Sequence, residues 1–320
     1  LCSPFWWRSS GGSDYERYAS FLNSLCDCGT IRSPVCGHHP KDEGFLFREE
    51  RISLFQTYRD LFKLLHKGIV YSKSVSWLFK LAPLASLAAS LIACAWLPFG
   101  GMTGLFSFTG GFLLIAYLFG AARFVTMLAS LDTASAFEGM GANREALFAV
   151  FAEPALLLGF GAVIVAPGNS SLANAISVAQ NTTFSDYGVV AALAAVSFFI
   201  LALAENSRIP VDDPTTHLEL TMIHEAMILD NSGPDLAFIE FASSLKLWFF
   251  YVLIADIILP LFHVGLVARI CGTFLIVFVL AALTGIVESS MARLRLMKVP
   301  QFIGSAAAFA FIAILLKGIL

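Results

Sequence analysis

The stretch AALAAVSFFILALA (191–204) is apolar on every helical face, and the charged segment ENSRIP (205–210) follows it directly. Lipid offers no partner to an unpaired backbone N–H or C=O, so such a run spans a membrane only as a helix or as part of a closed barrel. A barrel strand alternates apolar and polar residues over about ten positions. This run does not alternate, so it reads as a membrane helix that ends at Glu205. Working outward, six further apolar stretches are long enough to cross, at 76–97, 103–122, 146–166, 245–262, 266–287 and 300–319, beside 187–204 itself. The expected fold is therefore an all-α, polytopic membrane helix bundle of about seven spans.

Composition agrees. Of the 320 residues, 58% are hydrophobic and 13% charged, against about 25% charged in an ordinary soluble domain. The net charge of −3 provides no basic field for a nucleic acid, which excludes that partner and leaves the lipid bilayer. Ten of the twenty Lys and Arg lie in 1–75, and the connections 98–102 and 167–186 contain none. Basic residues thus alternate with the spans. That places 1–75, 123–145, 205–244 and 288–299 in the cytoplasm, with Arg269 and Lys317 as outer exceptions able to snorkel.

Residues 1–50 are polar and hold Cys2, Cys26, Cys28 and Cys36. One residue separates Cys26 from Cys28, where zinc sites use two to four. The expectation is an atypical terminus, mis-specified through a frame or assembly error, ahead of a membrane domain over 51–320. Cys94 and Cys271 fall inside spans as small apolar side chains.

The segment 205–244 carries eight acids against one base, Arg208. Asp213 and Pro214 suit an N-cap and a first helical position. A helix from about 214 to 229 would end before the turn signal Asn231-Ser232-Gly233-Pro234. His217 and His224 then share a face two turns apart. His224-Glu225 lacks the second His of a zinc HExxH helix, which leaves proton exchange or a structural role for both histidines. Glu205 and Arg208, three apart, pair if the helix continues that far, and Ile209-Pro210 extends the backbone. The acids are either a solvated face for a basic partner or ionisable groups lining a polar cavity.

Two acids read as lying mid-span, Glu153 before Pro154, and Asp256. An ionised acid at a bilayer centre costs roughly 2.5–3.5 kcal/mol, so it normally faces protein or water and marks an ion or proton route. The alternative is a neutral carboxyl bonded to a neighbouring helix. Pro154 would free a carbonyl and suit a cavity-lining helix. The candidate coupling groups are Glu153, Glu205, Arg208, Asp212, Asp213, His217, Glu219, His224, Glu225 and Asp256.

ENSRIPVDDPTTHLELTMIHEAMILDNSGPDLAFIEFASSLKLW (205–248) resembles the cytoplasmic loop of the membrane subunit shared by respiratory complex I (its H subunit, mitochondrial subunit 1) and membrane-bound hydrogenases. LDTASAFEGMGANREALFAVFAEPALLL (131–158), VESSMARLRLMKVPQFIG (287–304) and LFQTYRDLFKLL (54–65) resemble the same family, and most nearly its formate hydrogenlyase and hydrogenase-4 branch. The family usually has eight spans. The resemblance implies a subunit that docks an electron-transfer arm and couples redox chemistry to proton or sodium translocation in a prokaryotic inner membrane. By position, Glu205, Arg208, Asp212 and Glu219 match the family's charged cavity loop, and Glu153 matches an acid on an inner helix.

Implied partners are hydrogenase-like large and small subunits, an iron–sulfur subunit and antiporter-like membrane subunits. The iron–sulfur clusters and the nickel–iron centre would sit in those partners. This chain has no Gly-rich nucleotide loop and would carry no redox centre. The alternatives are a quinone-chamber subunit of complex I and an independent secondary transporter. Val211, the PTTHLE run (214–219) and REERIS (48–53) depart from the complex I pattern and weigh against quinone. The absence of an internal repeat weighs against the transporter.

Overall fold

The structure is a computed structural model that describes residues 56–72, 75–100, 110–165, 184–212, 222–262 and 265–319. Its described elements are helices: α1 Gln56–His66, α2 Trp77–Trp96, α3 Gly111–Asp132, α4 Ala136–Val165, α5 Phe184–Glu205, α6 His224–Met227, α7 Pro234–Ile258, α8 Leu266–Ser290 and α9 Val299–Ile319. Seven of them, all but α1 and α6, are long and apolar enough to cross a membrane. Successive spans run in opposite directions. One end of the bundle therefore gathers the starts of α2, α4, α7 and α9 and the finishes of α3, α5 and α8.

Helix α7 is the hub. Every residue from Phe249 to Ile257 is buried, so this stretch, apolar but for Asp256, is covered on all faces, as a central helix must be. It packs against α1, α2, α5 and α8. Helix α9 lies against α4 and α5, and α3 bridges α2 and α4. Phe119, Phe160, Phe198, Phe249 and Phe250 fill the middle with edge-to-face and stacked rings 5.2–6.1 Å apart. Such contacts give packing its directionality where water supplies no hydrophobic drive between spans.

The ends of the spans follow local chemistry. Ser76 caps α2 by accepting from Leu78 N at 3.2 Å. Pro234 opens α7 at a position that needs no N–H. Helix α5 closes in a Schellman motif: Arg208 N donates to Leu203 O at 2.9 Å and Ser207 N to Ala204 O at 3.4 Å. Ser207 takes the left-handed position usually given to glycine, with φ 50°.

Several boundaries differ from the sequence reading. The second span is Gly111–Asp132, not 103–122, and the fourth element begins at Ala136. The expected 123–145 connection shrinks to the few residues after Asp132. Helix α7 starts at Pro234, eleven residues before the expected 245. In each case charged residues that fell in an expected connection (Arg123, Glu138, Glu145, Asp235, Glu240) lie within a helix. Glu138, for example, is buried, takes the Thr133 hydroxyl and accepts from Asp230 N at 3.1 Å. Of the helix expected over 214–229, residues 214–221 lie outside the described residues, and only His224–Met227 of the rest is helical. Residues 1–55 also lie outside them. Helix α4 runs unbroken through Pro154.

Candidate functional site

The segment after α5 does not leave the protein for solvent. Asn206, Ser207, Arg208, Val211 and Asp212 are all buried. Irregular backbone at membrane depth is tolerated where protein or a polar cavity surrounds it. The solvated acidic face is thereby excluded for this part of the loop. The Ile209–Pro210 peptide is cis, and Pro210 O accepts from Leu294 N at 2.9 Å, which ties the segment to the α8–α9 connection.

Glu205 sits at the C-terminal end of α5 with its side chain 3% exposed. A carboxylate there faces the negative end of the helix dipole. Two cations offset that. The Arg123 guanidinium donates to its Oε1 and the Lys246 ammonium to its Oε2. Lys246 also reaches the Glu205 carbonyl at 3.3 Å and lies 5.4 Å over the Phe119 ring.

Arg123 is the centre of the constellation. It lies nine residues inside the end of α3, about 13 Å along the helix at 1.5 Å per residue. Its Nη2 pairs with Glu205, its Nε lies 3.4 Å from Glu145 Oε1, and its Nη1 lies 3.7 Å from Glu153 Oε1. A planar guanidinium reaches the three carboxylates from three separate nitrogens held in a fixed fork, where an ammonium is a single point charge. Glu153, 52% exposed, is the least enclosed. It approaches α3 at Gly120, where a Cβ would meet its Oε1 at 3.3 Å. Two cations thus face three carboxylates, so the set carries one acid in excess.

A second group abuts the first. Asp212 Oδ1 pairs with Arg293 at 3.1 Å, while its Oδ2 accepts from Ile223 N and His224 N, both at 3.2 Å. Arg208 pairs with Glu288 at 3.1 Å. The expected Glu205–Arg208 pair gives way to partners on other helices, because α5 ends at Glu205 and the chain turns there.

Two cavities meet at this site. One, of about 630 Å³ including its open mouth, is lined by Ser86, Ser90, Thr126, Ser243, His224 and Lys246 among others. The second, of about 320 Å³ and likewise including open space, is lined by Phe148, Val211, Asp212 and Ile303 among others. Arg123, Glu145, Glu205 and Ser207 belong to both. The charged groups therefore form the wall between two spaces, with hydroxyls able to orient water on one side.

Of the sequence-predicted residues, Glu153, Glu205, Arg208, Asp212 and His224 come together here. Glu225 lies in the adjoining short helix α6. Asp213, His217 and Glu219 fall outside the described residues. Asp256 does not join them and is not mid-span. It lies ten residues beyond Lys246 on α7, two from the opposite end, where Oδ1 accepts from Gly100 N at 3.2 Å. Reasoning from sequence missed Arg123, Glu145, Lys246, Glu288 and Arg293 as site residues. The usable signal was a lone cation within each long apolar stretch of α3 and α7, which has to find acids on neighbouring helices.

Over residues 47–317 the sequence matches the model of the NADH dehydrogenase family. Formate hydrogenlyase subunit 4 of Escherichia coli (strain K12) is 28% identical over 267 residues, which cover 81% of this chain and 85% of that protein. Hydrogenase-4 component C of the same organism is 28% identical over 251 residues, covering 76% and 77%. A chain of the membrane-bound sulfane sulfur reductase, an archaeal respiratory membrane complex, superposes with a TM-score of 0.71 at 16% identity. That likeness of fold covers 95% of this chain and 99% of the other. The family match contains every residue of the charged constellation, and the chain belongs to the NADH dehydrogenase family.

Proposed function

We propose that the chain is the membrane subunit of a multisubunit oxidoreductase of the hydrogenase-4 or formate hydrogenlyase type. It docks an electron-transfer arm and couples redox chemistry to proton or sodium movement. The observation that carries this reading is the linked set of Glu145, Glu153 and Glu205 around Arg123 and Lys246. It runs from the middle of α4 to the end of the bundle where the 206–212 segment folds in. With one acid in excess, the set can take up or release one cation without unpairing Arg123. A docked partner that changes charge at the outer end would shift that balance, and Glu153 would pass the change inward.

The arm would comprise hydrogenase-like large and small subunits and an iron–sulfur subunit, which hold the nickel–iron centre and the clusters. Antiporter-like subunits would receive the change within a prokaryotic inner membrane. The basic residues of the α8–α9 connection, with 205–244 beside them, would face the cytoplasm. The relatives' membership of formate hydrogenlyase and hydrogenase-4 supports the choice of complex. The test is a Glu205→Gln variant in the assembled complex, in membrane vesicles. Electron transfer should persist while coupled ion movement is lost. Undiminished ion movement per electron would contradict the proposal.

A further inference from the structure

The three acids around Arg123 are not equivalent. Glu205 has both oxygens on cations and a side chain 3% exposed. Glu153 is half exposed, with Arg123 Nη1 3.7 Å away. Glu145 is enclosed more like Glu205 than like Glu153, but it is not held as Glu205 is. Arg123 Nε lies 3.4 Å from its Oε1, yet this buried nitrogen makes no hydrogen bond among the described residues. A carboxylate kept ionised away from bulk water needs hydrogen bonds as well as a nearby cation. Of the three, Glu145 is therefore the one whose charge is least well compensated.

Glu145 also borders both cavities. In the larger one it shares the wall with hydroxyls of a particular kind. Ser86 donates to Pro83 O at 2.8 Å, Ser90 to Ser86 O at 2.9 Å and Thr126 to Ala122 O at 2.9 Å. Each hydrogen is thus engaged within its own helix, and each oxygen is left as an acceptor. Water in this space can give its hydrogens to those oxygens and turn its own oxygen to Arg123 or Lys246. The other ionisable groups that share the two cavities with Glu145 are Arg123 on α3, Glu205 and Asp212 at and after the end of α5, His224 on α6 and Lys246 on α7. On α4 itself Arg144 donates to Met222 O at 2.7 Å, and Glu153 lies about two turns on. Helix α9 adds no charge there, because its Lys317 is at the opposite end.

We propose that Glu145 is the acid of the set that is loaded and unloaded, and that its load is a proton drawn from water in the hydroxyl-lined cavity. The inference rests on the coupling role proposed above and names the ion and its carrier within it. Uptake forms an O–H bond on the Glu145 carboxyl and leaves two cations facing two carboxylates. Arg123 then serves Glu205 and Glu153 alone, so Glu153 feels the change through the shared guanidinium. A sodium ion on the same carboxylate would put a third positive charge within a few ångströms of Arg123, where a low dielectric makes like charges repel strongly. It would also have to leave most of its water. A proton becomes part of the carboxyl and adds no separate charge.

The test is infrared difference spectroscopy of the full chain in lipid nanodiscs as the pH is lowered from about 9 to about 6, a range in which ordinary carboxylates stay ionised. The protonated-carboxyl band that grows should contain a component that disappears in Glu145→Gln and moves in frequency in Glu145→Asp. Glu153→Asp and Glu205→Asp should leave its frequency unchanged. Sodium chloride in place of potassium chloride should leave its size unchanged at each pH. The S90A/T126V variant should slow its exchange in deuterium oxide severalfold. No component assignable to Glu145, or one abolished by sodium, would overturn the proposal, and an exchange rate unchanged in S90A/T126V would overturn the route. Loss of coupled ion movement in the Glu205→Gln complex without a Glu145 component would sink this inference and leave the proposed function standing. A Glu145 component beside undiminished ion movement in that complex would support the loading and contradict the coupling.

Discussion

The two ends of the bundle bury carboxylates in different ways. Asp256 and Glu205 are equally enclosed, yet Asp256 takes a single backbone N–H, from Gly100, and its Oδ2 has no hydrogen-bond partner among the described residues. Glu205 takes two cations, and through Arg123 it is joined to Glu145 and Glu153. What separates the two acids is connection to other ionisable groups and to a cavity, and on the proposed function only a connected acid can hand on a change of charge. Asp256 ties the segment that follows α2 to α7.

The largest expected effect lies at the charged end. Arg123→Ala leaves three acids without their common cation, and breaking a buried pair from one side costs about 3–5 kcal/mol. Thermal unfolding in detergent should show most of the folded chain lost. Arg123→Lys should recover only part of it, because one ammonium nitrogen cannot sit where Nε, Nη1 and Nη2 each meet a different acid. At the opposite end Asp256→Leu strands the Gly100 N–H and should cost about 1–3 kcal/mol, whereas Asp256→Asn keeps an acceptor and should stay near wild type in the same melts. An Arg123→Ala variant as mild as Asp256→Asn would erase the distinction between the ends.

A smaller effect tests the seam that carries α1. Partial burial and the adjacent Asp235 carboxylate push the Tyr71 hydroxyl up to about 12. A folded value above the ordinary 10 means that its contribution is complete below about pH 10 and fades as pH rises through 12. Tyr71→Phe should therefore cost about 0.5–1.5 kcal/mol at neutral pH, and the gap from wild type should close in melts taken near pH 12. The smallest change in stability is expected for Glu153→Gln, within about 0.5 kcal/mol, since the side chain is half exposed. That makes it a clean probe of function.

Much of the fold was legible because lipid demands it. Runs such as 191–204 have no other stable state, and the first, fourth, sixth and seventh spans begin and end within a few residues of where hydropathy puts them. The misplaced boundaries share one cause. Hydropathy judges each residue against lipid, while Arg123, Glu145 and Lys246 are solvated by one another, so their helices continue past them. Glu205 and Glu153 stood out because an acid beside lipid needs a reason. Their cation was harder to see: Arg123 resembles any arginine closing a span until α3 is placed against α4 and α5. Asp256 shows the converse, since chain position could not reveal that α7 carries it away from the other acids.

The most direct test compares Glu153→Gln with Asp256→Asn in the assembled complex, measuring ions moved per electron transferred in sealed vesicles. The expected result is that Glu153→Gln keeps electron transfer and loses ion movement, while Asp256→Asn keeps both. Full ion movement in Glu153→Gln, or its loss in Asp256→Asn, would contradict a relay built on the Arg123-centred charges.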